Sequence, residues 1–279
     1  MNFVGIDVGR KYLKIATEED TQIIPSKVGD ARELRLENTS DYLVAIDGHK
    51  YFVGDLAEES YSCREMATES KIHQETKILF LTAVALAWDR NPLVITTGLP
   101  VDQHTQTIKQ QLKQLLDGVY KVMINNCQKN IYINRLQIVP EGAGAFWNEV
   151  LDDDGRIVKS SLLQGTVRVI DLGSRTTNYL TIINGKYLDR DSGTLGYGCF
   201  ELERRDNTPE MFARRIIADL SQRWPSISQK DVMFISGGGA LLMEKSLKQV
   251  FDNVIVSKEP VTANAKGFRK LGVAYAKKG

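Results

Sequence analysis

One short pattern occurs twice in this chain of 279 residues. The first copy reads Val4-Gly5-Ile6-Asp7-Val8-Gly9-Arg10-Lys11, and the second reads Val169-Ile170-Asp171-Leu172-Gly173-Ser174-Arg175. In each, an apolar run ends in Asp, one residue intervenes and Gly follows. A second β-rich run comes next, Tyr12 to Ala16 and Thr177 to Ile183. A strand–turn–strand unit built on Asp-x-Gly can set backbone N–H groups around a phosphate, and its Asp can address a metal. Two such turns facing each other would hold a polyphosphate from both sides. That requires two similar halves around a cleft, one copy of the pattern in each.

The rest of the sequence fits two such halves. Strands are expected at 3–8 and 11–17, around the first turn. Residues 21–74 read as a small inserted subdomain, with a hairpin turning at Asp47-Gly48. A helix over 75–88, a strand over 93–97 and an amphipathic helix over 102–116 follow. Strands at 119–124 and 131–139 lead into a helix opened by Pro140-Glu141-Gly142-Ala143-Gly144-Ala145. Residues 151–163 read as a linker. The second half repeats the order, with a hairpin at 167–183, a helix from Thr208-Pro209 to Trp224, a strand at 231–235 and helices at 240–250 and 264–277. This is an α/β arrangement, a mixed sheet with helices packed on it in each half.

Composition narrows the function classes. Net charge is +1, so nothing in the total points to direct nucleic-acid or membrane binding. The three cysteines, Cys63, Cys127 and Cys199, are scattered and form no metal or disulfide spacing, which fits a reducing cytosol. No signal peptide is expected at the N-terminus. The longest apolar run, Ile78 to Trp88, is too short to span a bilayer and reads as a buried helix. The histidines stand in no ligand spacing.

Each candidate site has a plain reading beside the chemical one. Gly9 lets the first turn approach a phosphate, Lys14 on the return strand can bring its ammonium over it, and Asp7 suits a water-held magnesium. Alone, this copy reads better as an ordinary hairpin with a Gly turn and surface charges. In the second turn Ser174, Arg175 and Thr176 add hydroxyls and a positive charge beside Asp171 and Gly173. Two equivalent turns in two halves favour the phosphate reading. Gly237, Gly238 and Gly239 follow Ser236 between a strand and the helix beginning at Ala240, exposing N–H groups and a flat surface for a base or ribose. Glu141 either stabilises a helix start or aims a carboxylate at a water near a terminal phosphate.

Taken in order, these motifs resemble the actin, sugar kinase and Hsp70 superfamily over nearly the whole length. Asp7 to Lys14 resembles its first phosphate motif, Pro140 to Ala145 the first connecting helix, and Asp171 to Thr177 the second phosphate motif. Ser236 to Ala240 resembles the adenosine motif, and Ala263 to Ala274 the second connecting helix. The resemblance implies an actin-like fold of two RNase H-like domains, with ATP (or GTP) and magnesium between them. Domain I would be 1–150 plus 264–279, and domain II 151–263. Size favours bacterial actins of the plasmid-segregating ParM type, with Glu141 where they carry a Glu. The short stretch between Asp171 and Ser236 leaves little room for a second-half insertion, as in AlfA-type actins. Asp7 and Asp171 would then serve catalysis and the metal, and Glu141 the attacking water. Gly9, Arg10, Lys11, Lys14, Gly173, Ser174, Arg175, Thr176, Gly237, Gly238, Gly239 and Ala240 would hold the nucleotide. Glu210 and Arg214 would reach its ribose or base, with Arg215 beside them. The implied function is a cytoplasmic ATPase that polymerises into open-ended filaments and moves plasmid DNA through a DNA-binding adaptor. Alternatives are a small-molecule kinase of the same superfamily and a nucleotide-binding scaffold without turnover.

Overall fold

The computed structural model describes residues 2–35, 42–66, 70–88, 92–133, 135–203, 207–224, 226–228 and 230–277. The first half begins with β1 (Asn2–Val8), β2 (Tyr12–Ala16) and β3 (Thr21–Pro25). An inserted region follows, with β4 (Lys27–Asp30), β5 (Tyr42–Ile46), β6 (His49–Val53) and β7 (Arg64–Glu65). Then come α1 (Gln74–Ala87), β8 (Leu93–Leu99), α2 (Gln106–Leu116), β9 (Gly118–Ile124), β10 (Cys127–Ile133), β11 (Leu136–Pro140) and α3 (Ala143–Val150). The second half has β12 (Thr166–Leu172), β13 (Thr177–Ile183), β14 (Lys186–Tyr187), β15 (Gly193–Leu195) and α4 (Pro209–Arg223). It closes with β16 (Val232–Ser236), α5 (Ala240–Lys248), β17 (Val254–Val256) and α6 (Ala263–Ala276).

The two halves carry the same sheet. The first runs β3-β2-β1-β8-β11 and the second β14-β13-β12-β16-β17. In both, an antiparallel hairpin continues into two parallel strands. β8 is buried along its whole length, as expected for a parallel strand covered on both faces. α1 is apolar nearly all round because it is enclosed between the first sheet and the β9–β10 hairpin.

The third sheet departs from the sequence-based expectation. Its order is β10-β9-β5-β6-β4-β7. The inserted unit therefore borrows the hairpin at 118–133, which pairs with β5 through Val44↔Ile124. β3, assigned above to the insertion, stays in the first-half sheet. Residues 36–41 and 67–69 of the expected insertion lie outside the described residues. The single strand expected at 131–139 is two, β10 and β11, in different sheets.

α3 and α6 cross at the junction of the halves. The crossing is close because it is glycine on glycine: a Cβ on Gly267 would lie 1.7 Å from the Gly144 carbonyl oxygen. A side chain there would force the helices apart. In the second half, the segment from Asn184 to Thr208 holds, among the described residues, only β14, β15 and short 3-10 turns, so no second inserted sheet forms.

Candidate functional site

A cleft of about 280 Å³ is lined by residues of both halves. Asp7 stands one residue from the end of β1, and Asp171 one residue from the end of β12. The sheet registers place them equivalently: Asp7 is opposite Lys14, and Asp171 opposite Asn178. Both acids are buried and both line the cleft.

Their surroundings differ. Lys14 Nζ donates to Asp7 Oδ2 at 2.9 Å. Burial alone would raise the Asp7 pKa, but the ammonium groups of Lys14 and Lys71 outweigh it and hold the carboxyl below its ordinary range. Burial also works against the Lys14 charge, and the Asp7 carboxylate reverses that, raising the lysine. Asp171 has neutral partners instead. Ser236 Oγ donates to its Oδ1 at 3.0 Å and Asn264 Nδ2 to its Oδ2 at 2.8 Å. Burial, with the Glu141 carboxylate nearby, pushes the Asp171 pKa up to about 6.

Glu141 follows β11, and its N–H donates to the Leu99 carbonyl at 2.7 Å, which fixes its backbone to the end of β8. Its two carboxylate oxygens are held separately. Oε1 pairs with Lys71 Nζ, and Oε2 accepts from Asn178 Nδ2 at 3.0 Å. Lys71 Nζ also donates to the Val8 carbonyl at 2.7 Å, inside the first turn. Each Glu141 oxygen thus has a side-chain partner, Lys71 from the same half and Asn178 from the other.

Asn264, at the start of α6, ties the α3–α6 crossing to this centre. Its Oδ1 accepts from the N–H groups of Gly142 and Ala145 at 2.9 and 3.1 Å while its Nδ2 donates to Asp171. Only one orientation of the amide satisfies all three bonds.

Gly9, Arg10, Lys11, Lys14, Gly173, Ser174, Arg175 and Thr176 all line the cleft. Lys11 pairs with Glu203 at 3.2 Å and Arg175 with Glu65 at 3.9 Å, so charges from each half meet at this end. Gly237 and Gly238 line the cleft, whereas Gly239 and Ala240 do not. Gly237 has φ +86°, and a Cβ there would sit 2.3 Å from the Leu172 carbonyl oxygen, so the loop folds tightly against β12. Glu210 and Arg214 are exposed on α4 and do not line the cleft. Arg215 lies over the Tyr197 ring, 3.9 Å from its centroid. All three were expected to reach a ribose or base from this helix, and none of them lines the cleft. Cys199 N–H donates to the Gly173 carbonyl and Phe200 N–H to that of Ser174, at 2.9 and 2.8 Å. This strap lines the cleft with Cys199 and Phe200.

Sequence reasoning missed Lys71, Asn178, Asn264 and the strap. Lys71 and Asn264 stand in no motif of their own. Asn178 carried a signal that was available: it follows Asp171 at the interval that separates Lys14 from Asp7.

Magnesium suits these acids. It binds through one or two carboxylates together with phosphate oxygens and water rather than in an all-protein cage. Among the described residues no group of three His, Cys, Asp or Glu forms such a cage. A carboxylate has about four lone-pair sites, more than the Lys14 bond to Asp7 Oδ2 or the Ser236 and Asn264 bonds to Asp171 occupy. No helix among the described residues is long and apolar enough to cross a membrane.

The sequence matches the family model described as actin-like proteins, N-terminal domain, over residues 5–144. No curated protein matches it. Among solved structures, the apo ParM protein of pSK41 is similar at 20% identity and a TM-score of 0.80, covering 99% of this chain and 98% of that one. Ta0583, an archaeal actin homolog in complex with ADP, is similar at 20% identity and a TM-score of 0.79, covering all of both chains. The filament of AlfA from B. subtilis plasmid pLS32 is similar at 20% identity and a TM-score of 0.72, covering 96% of this chain and 97% of that one.

Proposed function

The chain belongs to the actin-like proteins, and from that premise we propose that it is a cytoplasmic ATPase that assembles into filaments and segregates plasmid DNA. The observation that carries this reading is the pair of equivalent turns, one on each of two like sheets, with Asp7, Glu141 and Asp171 converging on one cleft. ATP, with GTP as the alternative nucleotide, would lie with its phosphates between the two turns. The Gly237–Gly238 loop would take the nucleoside end. Asp7 and Asp171 would hold magnesium, which when bound neutralises charge on the phosphates.

Phosphoryl transfer to water depends mainly on positioning and charge. Glu141 is suited to orient the water, because Lys71 and Asn178 fix its carboxylate on both sides. Domain I would comprise 1–150 with the C-terminal helix, domain II 151–263, and the α3–α6 crossing would act as the hinge. The AlfA relative is a filament of a plasmid protein, and the ADP complex is of an actin homolog of the same fold. Filament contacts would be heterologous and open-ended. A separate DNA-binding adaptor would carry the plasmid, since a net charge of +1 gives no general attraction to a duplex.

The test is pelleting and phosphate release in the same reaction, with and without magnesium and ATP. Nucleotide-dependent pelleting with release of phosphate is expected. A species that stays small in every nucleotide would overturn the filament and favour the kinase.

A further inference from the structure

The proposed ATPase reaction is the premise for one more assignment. A 3-10 turn, Val101–Gln103, follows β8 in the first half, and β15 lies in the second half. They are joined by a compact set of hydrogen bonds. Thr194 N–H donates to Asp102 Oδ1 at 3.0 Å, and Asp102 N–H donates to Thr194 Oγ1 at 3.2 Å. Thr194 stands opposite Asn178 in the β13–β15 register. Its hydroxyl donates to Asn178 Oδ1 at 2.8 Å, and the same oxygen accepts from Val101 N–H at 3.2 Å. The other end of that amide donates to Glu141.

We infer that Asp102, Thr194 and Asn178 form a positioning relay that sets the Glu141 carboxylate according to how the two halves are rotated. Asn178 belongs to the second half, yet two of its three bonds go to the first half, to Val101 and Glu141. A rotation that separates Asp102 from Thr194 withdraws support from the Asn178 oxygen. The amide then turns, and Glu141 loses its Oε2 partner. Asp102 is exposed and does not line the cleft, so it acts on hydrolysis through Asn178 and not through the nucleotide. Any contact that changes the rotation, including that of a neighbouring subunit, would thereby reach the water-orienting residue. The geometry also explains the residue types. Position 194 needs a hydroxyl that both accepts and donates, and position 178 needs an amide, because a carboxylate there would face Glu141.

The test uses the full chain and four proteins: wild type, Asp102→Ala, Asp102→Asn and Asn178→Ala. Asp102→Asn keeps a side-chain oxygen that accepts from Thr194 N–H. Asp102→Ala is expected to lower kcat about tenfold or more with KM unchanged, as misplacement of a positioned group does. Asp102→Asn should restore most of the loss. The double variant Asp102→Ala with Asn178→Ala should be no slower than Asn178→Ala alone, because both act through one amide. Wild-type turnover with kcat unaltered by Asp102→Ala overturns the relay and leaves the ATPase reading standing. Additive losses in the double variant, or a rise in KM alone, also overturn it. A wild-type protein that releases no phosphate overturns the ATPase reading itself, and the relay with it.

Discussion

The two Asp-x-Gly turns share a frame and differ in charge. Each closes a buried strand, and each puts its acid opposite the residue seven positions later, Lys14 in one and Asn178 in the other. In the first turn that residue neutralises the acid directly. In the second it reaches over to Glu141, and Asp171 is left to Ser236 and Asn264. The first turn is thus balanced internally. The second holds a carboxylate close to protonation beside a second carboxylate, an arrangement that costs stability and marks groups with chemical work. The helix starts diverge likewise. Pro140-Glu141 precedes α3, whereas Pro260-Val261 precedes α6, so an apolar residue that lines the cleft stands where the first half has its acid. Like halves thus present unlike groups to one cleft.

The sharpest way to break this comparison is to neutralise each acid in turn. Asp171→Asn can still be satisfied, its oxygen accepting from Asn264 and its amide donating to Ser236. It should fold, and hydrolysis should fall by about 100-fold or more, as when a preorganised charged group is lost. Asp7→Asn strands Lys14 and should first weaken magnesium-dependent nucleotide binding. Nucleotide titrations and phosphate release on both proteins decide this. The same pattern from both variants would mean that the turns are equivalent after all.

Next in size is the loss of the cation. Lys14→Ala leaves Asp7 buried without its ammonium and should cost about 3–5 kcal/mol, the usual result of breaking one side of a buried pair. Asn178→Ala, at the matching register, loses neutral hydrogen bonds and should cost about 1–3 kcal/mol. Urea unfolding of both proteins measures the difference. Equal losses would show that Lys14 contributes no more than an amide would.

The acids should also pull stability in opposite directions with pH. The Asp171 pKa rises from 3.8 to about 6 on folding, so its favourable contribution is complete below about pH 4 and is lost as pH rises through 6. The change is about 3 kcal/mol for this buried group. Asp7 is lowered, so its contribution is present above 3.8 and is lost as pH falls through its folded value. Unfolding of wild type and Asp171→Asn between pH 4 and 8, and of wild type and Asp7→Asn from pH 5 down to pH 2, tests the signs. Asp171→Asn should gain on wild type as pH rises, and an unchanged gap would show that Asp171 is ionised throughout.

What the sequence disclosed follows the range of each signal. The duplicated turns and the order of helices and strands are local patterns, and they could be read. The β9–β10 hairpin alternates in burial like any half-covered strand pair, and nothing local says that it joins β5 rather than the first-half sheet. Lys71 reaches Glu141 across 70 residues of chain, and Asn264 reaches Asp171 across 93. A lone Lys or Asn has no periodicity, so such partners emerge only when the fold brings them together. Glu210 and Arg214 stand on the helix after the shortened segment, and sequence alone does not say which face of that helix turns to the cleft; both are on its exposed face.

The smallest predicted effect concerns α2 and α5, which occupy matching places in the two halves. α2 is capped by Thr105, whose hydroxyl accepts from Ile108 N–H at 3.3 Å. α5 starts at Gly239, with no side-chain cap. The reason lies in the second half's cleft strap: a Cβ on Gly239 would sit 2.2 Å from Cys199 Sγ. The cap that the first half uses is therefore excluded from the second by the strap over the second Asp-x-Gly turn. Thr105→Ala should lower stability by about 1 kcal/mol, since it removes one capping bond. Turnover should not change, because Thr105 is exposed and does not line the cleft. Gly239→Ser supplies a capping hydroxyl that would be favourable on an open helix. Here it should instead displace Cys199 and weaken nucleotide binding. Melting temperature and nucleotide affinity measured on both proteins separate the cases. A Gly239→Ser protein that gained stability and kept its affinity would show that the strap does not dictate the start of α5.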